Sequence, residues 1–272
     1  MKVLISVDME GVTGVTAWSD VTPGTPAYER FRHQMTAEAN AAVAGAFDAG
    51  ASSVVVNDSH GRMRNLLYEE LDGRASLVSG PVKPLDMVEG VDGAHAAVFI
   101  GYHAMAGSEG GTLAHTMTGT VQNWLLNGVP VGEAQINAAL CGHFNVPVVL
   151  VSGDARLAEE VAATLPSARR VVVKWASDQQ TARSRPANEV LPLIRDQVKE
   201  AVVGASQVLP VITDGPVRVG IEFVHPTEAT AASLCPRIRR TSGRTVEMEG
   251  ATMLEAYQWS WVALELARAL TG

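Results

Sequence analysis

Short β-branched apolar runs alternate along the chain with stretches whose apolar residues recur every three or four positions, the pattern of an α/β layered domain. Val3 to Val7 reads as a first strand, and Ser53 to Val56, Ala75 to Val78 and Ala96 to Ile100 as the next three. Between the first two, Phe31, Met35, Ala39, Val43 and Phe47 fall four apart. They mark one face of a long helix, with Gly50 stopping it as the C′ residue. Leu125-Leu126, Asn127-Gly128 and Val129-Pro130-Val131 spell a hairpin around a type I′ turn, and Glu133 then opens an Ala-rich helix running to about Phe144. Val148 to Val151 and Val171 to Lys174 are further buried strands.

From about residue 180 the texture changes. A helix from Pro186 carries Leu191, Ile194, Val198 and Ala201 on one side, Val217 to Phe223 and Thr245 to Met248 read as strands, and a last helix carries Leu254, Tyr257, Trp261 and Leu264. The expected fold is α/β: a layered domain over residues 1–180 with a central, mostly parallel sheet, then a smaller C-terminal α+β lobe over 181–272.

Composition narrows the function by exclusion. The 272 residues carry 21 Lys and Arg against 29 Asp and Glu, a net charge of −8, with no basic stripe of the kind that binding nucleic acid requires. No run of about 18 apolar residues exists to span a membrane. An acid at Asp8 comes too early for a signal-peptide core, so the cytoplasm is the expected compartment. Cys141 and Cys235 form no CxxC, which excludes a disulfide framework and a four-thiolate zinc site; Cys141 reads as a small buried hydrophobe. There is no GxxxxGK[ST] and no GxSxG, and Gly107 to Gly111 lacks the GxGxxG order of a dinucleotide loop.

Candidate chemistry collects just past the strands. The first strand ends in Asp8-Met9-Glu10, and its period of two puts both carboxylates on the same side of the extended chain. Two acids that close repel unless a cation or proton sits between them, although a lone DxE is ordinarily a solvated strand end. Its company changes that reading. His60 follows a strand in Asn57-Asp58-Ser59-His60-Gly61, His103 follows another in Gly101-Tyr102-His103, and Glu133 stands between the hairpin and its helix. In a layered α/β sheet such positions converge on one crevice. Two imidazoles and three carboxylates there fit a pair of divalent metals sharing one bridging acid, and zinc suits those donors. Asp58 and Ser59 are candidates to orient the ligating imidazoles, or else ordinary turn-capping residues.

The ordered segments Ser6-Val7-Asp8-Met9-Glu10-Gly11, Val56-Asn57-Asp58-Ser59-His60, Gly101-Tyr102-His103-Ala104 and Pro130-Val131-Gly132-Glu133 resemble the zinc D-aminopeptidases of the DppA type, peptidase family M55. So do Val82-Lys83-Pro84, Met87-Val88-Glu89-Gly90 and Met253-Leu254-Glu255-Ala256-Tyr257-Gln258, so the resemblance runs nearly end to end. It implies two Zn2+ per chain, with Asp8 bridging and Glu10, His60, His103 and Glu133 completing the ligand shells. It also implies a catalytic His115, which on the residues alone is a loop histidine at the far end of a Gly-containing, flexible segment, Ala106 to Gly111. Finally it implies a preference for D-residues and a homo-oligomer, a ring-based decamer enclosing its active sites.

The expected activity is therefore that of a dinuclear zinc aminopeptidase releasing the N-terminal residue, a D-amino acid by resemblance, from short peptides through metal-activated water. The rivals are another dinuclear hydrolase acting on phosphoesters or non-peptide amides, an aminopeptidase preferring L-residues, and a non-catalytic metal or peptide binder. A phosphoester site would add Arg or Lys for the anion, and only Lys83 and Arg62 lie near these motifs. His33, His95, His143 and His225 read as surface or loop histidines, and Glu222 as a partner for a basic side chain.

Overall fold

The computed structural model describes residues 1–271. In chain order the strands are β1 (Lys2–Val7), β2 (Ser53–Asp58), β3 (Ser76–Val78), β4 (Ala96–Tyr102), β5 (Val121–Leu126), β6 (Val129–Pro130), β7 (Val148–Asp154), β8 (Arg169–Asp178), β9 (Thr181–Ser184), β10 (Val217–Phe223), β11 (Arg239–Arg240) and β12 (Thr245–Gly250). The helices are α1 (Trp18–Val21), α2 (Pro26–Asp48), α3 (Glu133–His143), α4 (Ala155–Thr164), α5 (Ala187–Val203), α6 (Pro226–Ala232) and α7 (Met253–Thr271).

The apolar runs make a seven-stranded sheet in the order β3-β2-β1-β4-β7-β8-β9, parallel except for β9 at its edge. A second, antiparallel sheet has the order β11-β12-β10-β5-β6. The expected mixed α/β class with a large, mostly parallel sheet is the observed one. The expected boundary at 180 does not coincide with the two sheets. β5 and β6 join the second sheet, whereas β9 and α5, from beyond 180, stay with the first. The β5–β6 turn explains part of this crossing. Asn127 (φ 50) and Gly128 (φ 85) both take left-handed backbone, the type I′ geometry that suits a tight hairpin, so β6 folds straight back on β5.

Period-two alternation along β1 divides the core. Val3, Ile5 and Val7 pack with Met35, Ala39 and Val43 of α2 and Ile194 and Val198 of α5 on one face. Leu4 belongs to the opposite cluster, with Phe99, Leu140 of α3 and the inner face of the second sheet. The parallel strands are buried on both faces, which is why they read as unbroken apolar runs.

The chain runs from β1 outward through β2 to β3 and then resumes at β4 on the other side of β1. That reversal opens a crevice at the carboxyl ends of β1, β2 and β4, where doubly wound sheets bind ligands. The segment leaving β1 crosses β4 so closely that Gly11 N–H donates to the Gly101 carbonyl at 2.7 Å. Gly101 itself has φ +71, and a Cβ there would lie 2.2 Å from the Asp8 carbonyl oxygen. Gly101→Ala is therefore expected to destabilise the fold by about 2 kcal/mol or more, since strain and a backbone clash act together. Thermal unfolding checks this, and an unchanged Tm would contradict it.

Candidate metal centre

β1 ends at Val7, so the strand's alternation does not set where Glu10 points. Asp8 N–H still donates to the Ile100 carbonyl at 2.8 Å, after which the chain turns, with Val12 N–H donating to the Met9 carbonyl. Glu10 is delivered by this turn. Lys174, fully buried on β8, holds the turn in place: its ammonium donates to the carbonyls of Glu10, Val12 (3.1 Å) and Val15 (2.7 Å). His60 lies two residues past β2, His103 directly after β4, and Glu133 is the first residue of α3. All five expected ligands are buried, and they converge.

Their facing atoms are close. His60 Nδ1 lies 3.0 Å from Glu10 Oε2 and 3.4 Å from Asp8 Oδ1. His103 Nε2 lies 3.4 Å from both Asp8 Oδ2 and Glu133 Oε1. In each imidazole the other nitrogen faces a backbone carbonyl, which only accepts. His60 Nε2–H donates to Val21 O and His103 Nδ1–H to Ala104 O, each at 2.9 Å. The tautomers are thereby fixed, and each inner nitrogen turns its lone pair towards carboxylate oxygens. Lone pairs facing lone pairs need a cation between them. Asp8 Oδ2 and His103 Nε2 are buried without a hydrogen-bond partner, and Asp8, Glu10 and His103 bring donor atoms within 4.8 Å of one another. The donor set of nitrogen and oxygen atoms fits divalent zinc.

Protons can stand in for that cation. Burial opposes charge on His60, yet Glu10 and Asp8 hold its pKa well above the usual histidine value. His103 is raised in the same way, against burial, by Glu133 and Asp8. Burial and the neighbouring Glu10 push Asp8 up to about 8. Glu10 and Glu133 stay below the ordinary range, because His60 and His103 respectively outweigh their burial.

His115 belongs to this cluster too. Its Nε2 lies 3.7 Å from Glu133 Oε1 and 4.0 Å from Glu10 Oε1, its Nδ1–H donates to Leu113 O at 2.9 Å, and its ring stacks on His103 at 4.2 Å. The Trp18 ring meets His115 in an edge-to-face arrangement at 5.5 Å. The expected loose loop is instead anchored near its end. Leu113 N–H donates to Gln179 O, and Met117 N–H donates to Glu133 Oε1 at 2.6 Å. Leu113 (φ 50) and Met117 (φ 63) take left-handed backbone on either side of the histidine. Burial and the adjacent His103 hold the His115 pKa below its usual value.

Asp58 does not orient an imidazole. It takes the capping role, accepting from Asn65 N–H at 2.6 Å, Leu66 N–H at 2.8 Å and the Asn65 amide at 2.7 Å. Ser59 bonds Ser6 and Asn57 rather than His60. Glu222 pairs with Arg244 at 2.7 Å. His33 faces Glu70 on the surface, and His95 accepts from Lys2 N–H. His143 packs edge-on against Phe144, and His225 caps α6, all away from the cluster. Sequence reasoning gave no role to Lys174, whose only signal was a lone cation closing the apolar run Val171-Val172-Val173, and none to Asp86.

The D-aminopeptidase family model, M55, matches residues 1–262. The D-aminopeptidase of Bacillus subtilis (strain 168) is 39% identical over 270 residues, 98% of each chain. The solved structure of the Zn-dependent D-aminopeptidase DppA from Bacillus subtilis, described as a self-compartmentalizing protease, matches with a TM-score of 0.96 and 37% identity over 100% of both chains. A buried imidazole and carboxylate cluster on this fold defines a metallo-aminopeptidase, a hydrolase. Within that class the chain belongs to the D-aminopeptidase family, M55.

The cluster sets a pH dependence in chelator-treated protein. His60 and His103 have raised folded pKa values, so the stability they contribute is full below about pH 6.5 and is lost as pH rises through those values. Asp8, at about 8 when folded, acts in the same direction between about pH 4 and 8. The lowered Glu10 and Glu133 lose their contribution only on the acid side, as pH falls through their folded values. The Tm of the chelated protein is expected to fall as pH rises, through Asp8 between about pH 4 and 8 and through His60 and His103 above about pH 6.5, and added zinc to raise it and flatten the dependence. A Tm insensitive to pH and zinc would count against a cation-binding cluster.

Proposed function

We propose that the protein releases the N-terminal D-residue from short peptides with two zinc ions, held by Asp8, Glu10, His60, His103 and Glu133. One observation carries the dinuclear reading: Asp8 turns Oδ1 towards His60 and Oδ2 towards His103, so this one carboxylate would serve both ions. Glu10 then belongs with His60 and Glu133 with His103. Bound zinc supplies Lewis acidity, polarising the scissile carbonyl and lowering the pKa of water.

The chain's own residues do the rest. The backbone carbonyls of Val21 and Ala104 hold His60 and His103 in one tautomer, and Lys174 holds the turn that carries Glu10. His115 has a lowered pKa and a fixed ring, so near neutrality it can accept a proton at Nε2 and return it to the departing amine. The cleft beside the cluster is only about 120 Å³, lined by Met63, Met117, Trp261 and Leu264 among others, which suits a small residue at the end of a short chain. Its only Lys or Arg among the described lining residues is Arg268, already paired with Glu265, which favours a peptide over a phosphoester. The preference for D-residues rests on the family and on the Bacillus subtilis enzymes.

Self-compartmentalization in the DppA structure supports a homo-oligomer here, and the resemblance to family M55 implies that it is a ring-based decamer enclosing its active sites. Among the described residues no helix is long and apolar enough to cross a membrane. Free Cys141 and Cys235 suit a reducing cytoplasm.

Metal analysis with L- and D-aminoacyl peptides tests the reading. About two zincs per chain are expected, with Asp8→Ala losing more than the ~100-fold typical of lost ligand-orienting groups. His115→Ala should keep its zinc while kcat falls about 10²–10⁴-fold with little change in KM. Full activity of Asp8→Ala removes the dinuclear reading, and zinc lost from His115→Ala makes that residue a ligand. Sedimentation should give a multiple of 28.7 kDa, ten chains in a decamer; a single-chain mass overturns the enclosure.

A further inference from the structure

A second acid faces the same cleft and has no part in the metal cluster. Asp86 lies on the wall shared with Glu10, His60, His115 and Glu133, and it is 2% exposed. Its backbone is left-handed, φ 47, a conformation that costs free energy in a non-glycine residue and persists only where its surroundings impose it. The surroundings do impose it. Asp86 N–H donates to the Lys83 carbonyl at 3.0 Å, and the Asp86 carbonyl accepts from the Asn57 amide at 3.0 Å. Tyr257 of α7 donates its hydroxyl to Oδ2 at 3.0 Å.

The other oxygen, Oδ1, is buried with no hydrogen-bond partner. The charges of the two nearby cations, Lys83 and Arg268, act on Asp86, but both make their hydrogen bonds elsewhere. Lys83 donates to Asn57 Oδ1 at 2.7 Å and to the Asp58 carbonyl at 2.6 Å, and Arg268 pairs with Glu265. A buried carboxylate oxygen without a donor is costly and rare in native structures, and a cationic donor answers it best. Asp86 is among the residues that line the cleft, so the cleft is the side from which such a donor would come.

We propose that Asp86 Oδ1 receives an ammonium group of the substrate, and that in a cleft of about 120 Å³ this is the α-ammonium of the residue to be released. The inference rests on the aminopeptidase reading above. It supplies what that reading leaves open: which group recognises the free end of the chain. Burial pushes the Asp86 carboxyl up to about 7, and an ammonium beside it favours the anion; peptides that begin there are thereby preferred over capped or internal segments, whose amide nitrogen carries no charge.

The test uses the zinc-loaded enzyme and Asp86→Asn, an isosteric change that leaves Tyr257 an acceptor. KM for D-alanyl p-nitroanilide is expected to rise about 10–100-fold, the usual worth of a hydrogen bond to a charged group, with zinc content and Tm retained. Competitive inhibition supplies a second measurement that is independent of the folded fraction. Wild type should bind D-alaninol more tightly than propane-1,2-diol, and Asp86→Asn should lose that preference. A D-lysyl substrate should be affected equally; an effect confined to D-lysyl would overturn the α-ammonium in favour of a side-chain ammonium. An unchanged KM and inhibitor ratio in Asp86→Asn, on a wild type that does remove N-terminal residues, overturns this inference alone. Wild type cleaving N-acetylated peptides as readily as free ones overturns both this and the aminopeptidase reading.

Discussion

Three carboxylates buried within reach of one another are the constraint on which the rest of this structure depends. Asp8, Glu10 and Glu133 repel, and burial makes that repulsion stronger. The cluster exists only because positive charge lies among the three acids, whether as protons on His60 and His103 or as metal ions. The backbone leaves both open. By accepting the outer N–H of each imidazole, the carbonyls of Val21 and Ala104 turn the inner nitrogens towards the carboxylates, where a metal or a second ring proton satisfies them and a neutral, metal-free ring does not.

The fold serves this arrangement through close backbone contacts. The carboxyl ends of β1, β2 and β4 supply Asp8, His60 and His103 because the sheet reverses its winding there. Gly101 allows the segment leaving β1 to lie on β4, and Lys174 ties the following turn by three carbonyls. Burial pulls the Lys174 pKa down to about 8, so even this cation is held in place at an electrostatic cost.

The strands and helices were legible because their signals are local. Val3 to Val7, Val217 to Phe223 and the Asn127-Gly128 turn carry periodicity or turn chemistry within a few residues. The imidazoles and acids past the strand ends were legible as a set, since strand ends in such sheets share one crevice. What depends on distant packing was hidden. The β5–β6 hairpin joins a sheet built from residues 217 to 250, a pairing across roughly ninety residues that no local pattern announces. Asp58 was read as a possible partner of His60, but Asn65, seven residues on, claims its oxygens. Asp86 gave no signal at all, because its environment is made by Tyr257, 171 residues away.

The crossing of β5 and β6 into the second sheet has a mechanical consequence. Glu133 sits at the end of that hairpin while Asp8, His60 and His103 sit on the first sheet, and Met117, just before β5, donates to Glu133. The residues proposed to hold metal are therefore drawn from both sheets, with the polypeptide stitched back and forth between them. Hinged closure around a substrate, common in two-lobed enzymes, would pull such a set apart. On the proposed metal reading, selection then falls to the shape of the cleft and of whatever leads to it, with no jaw to close afterwards.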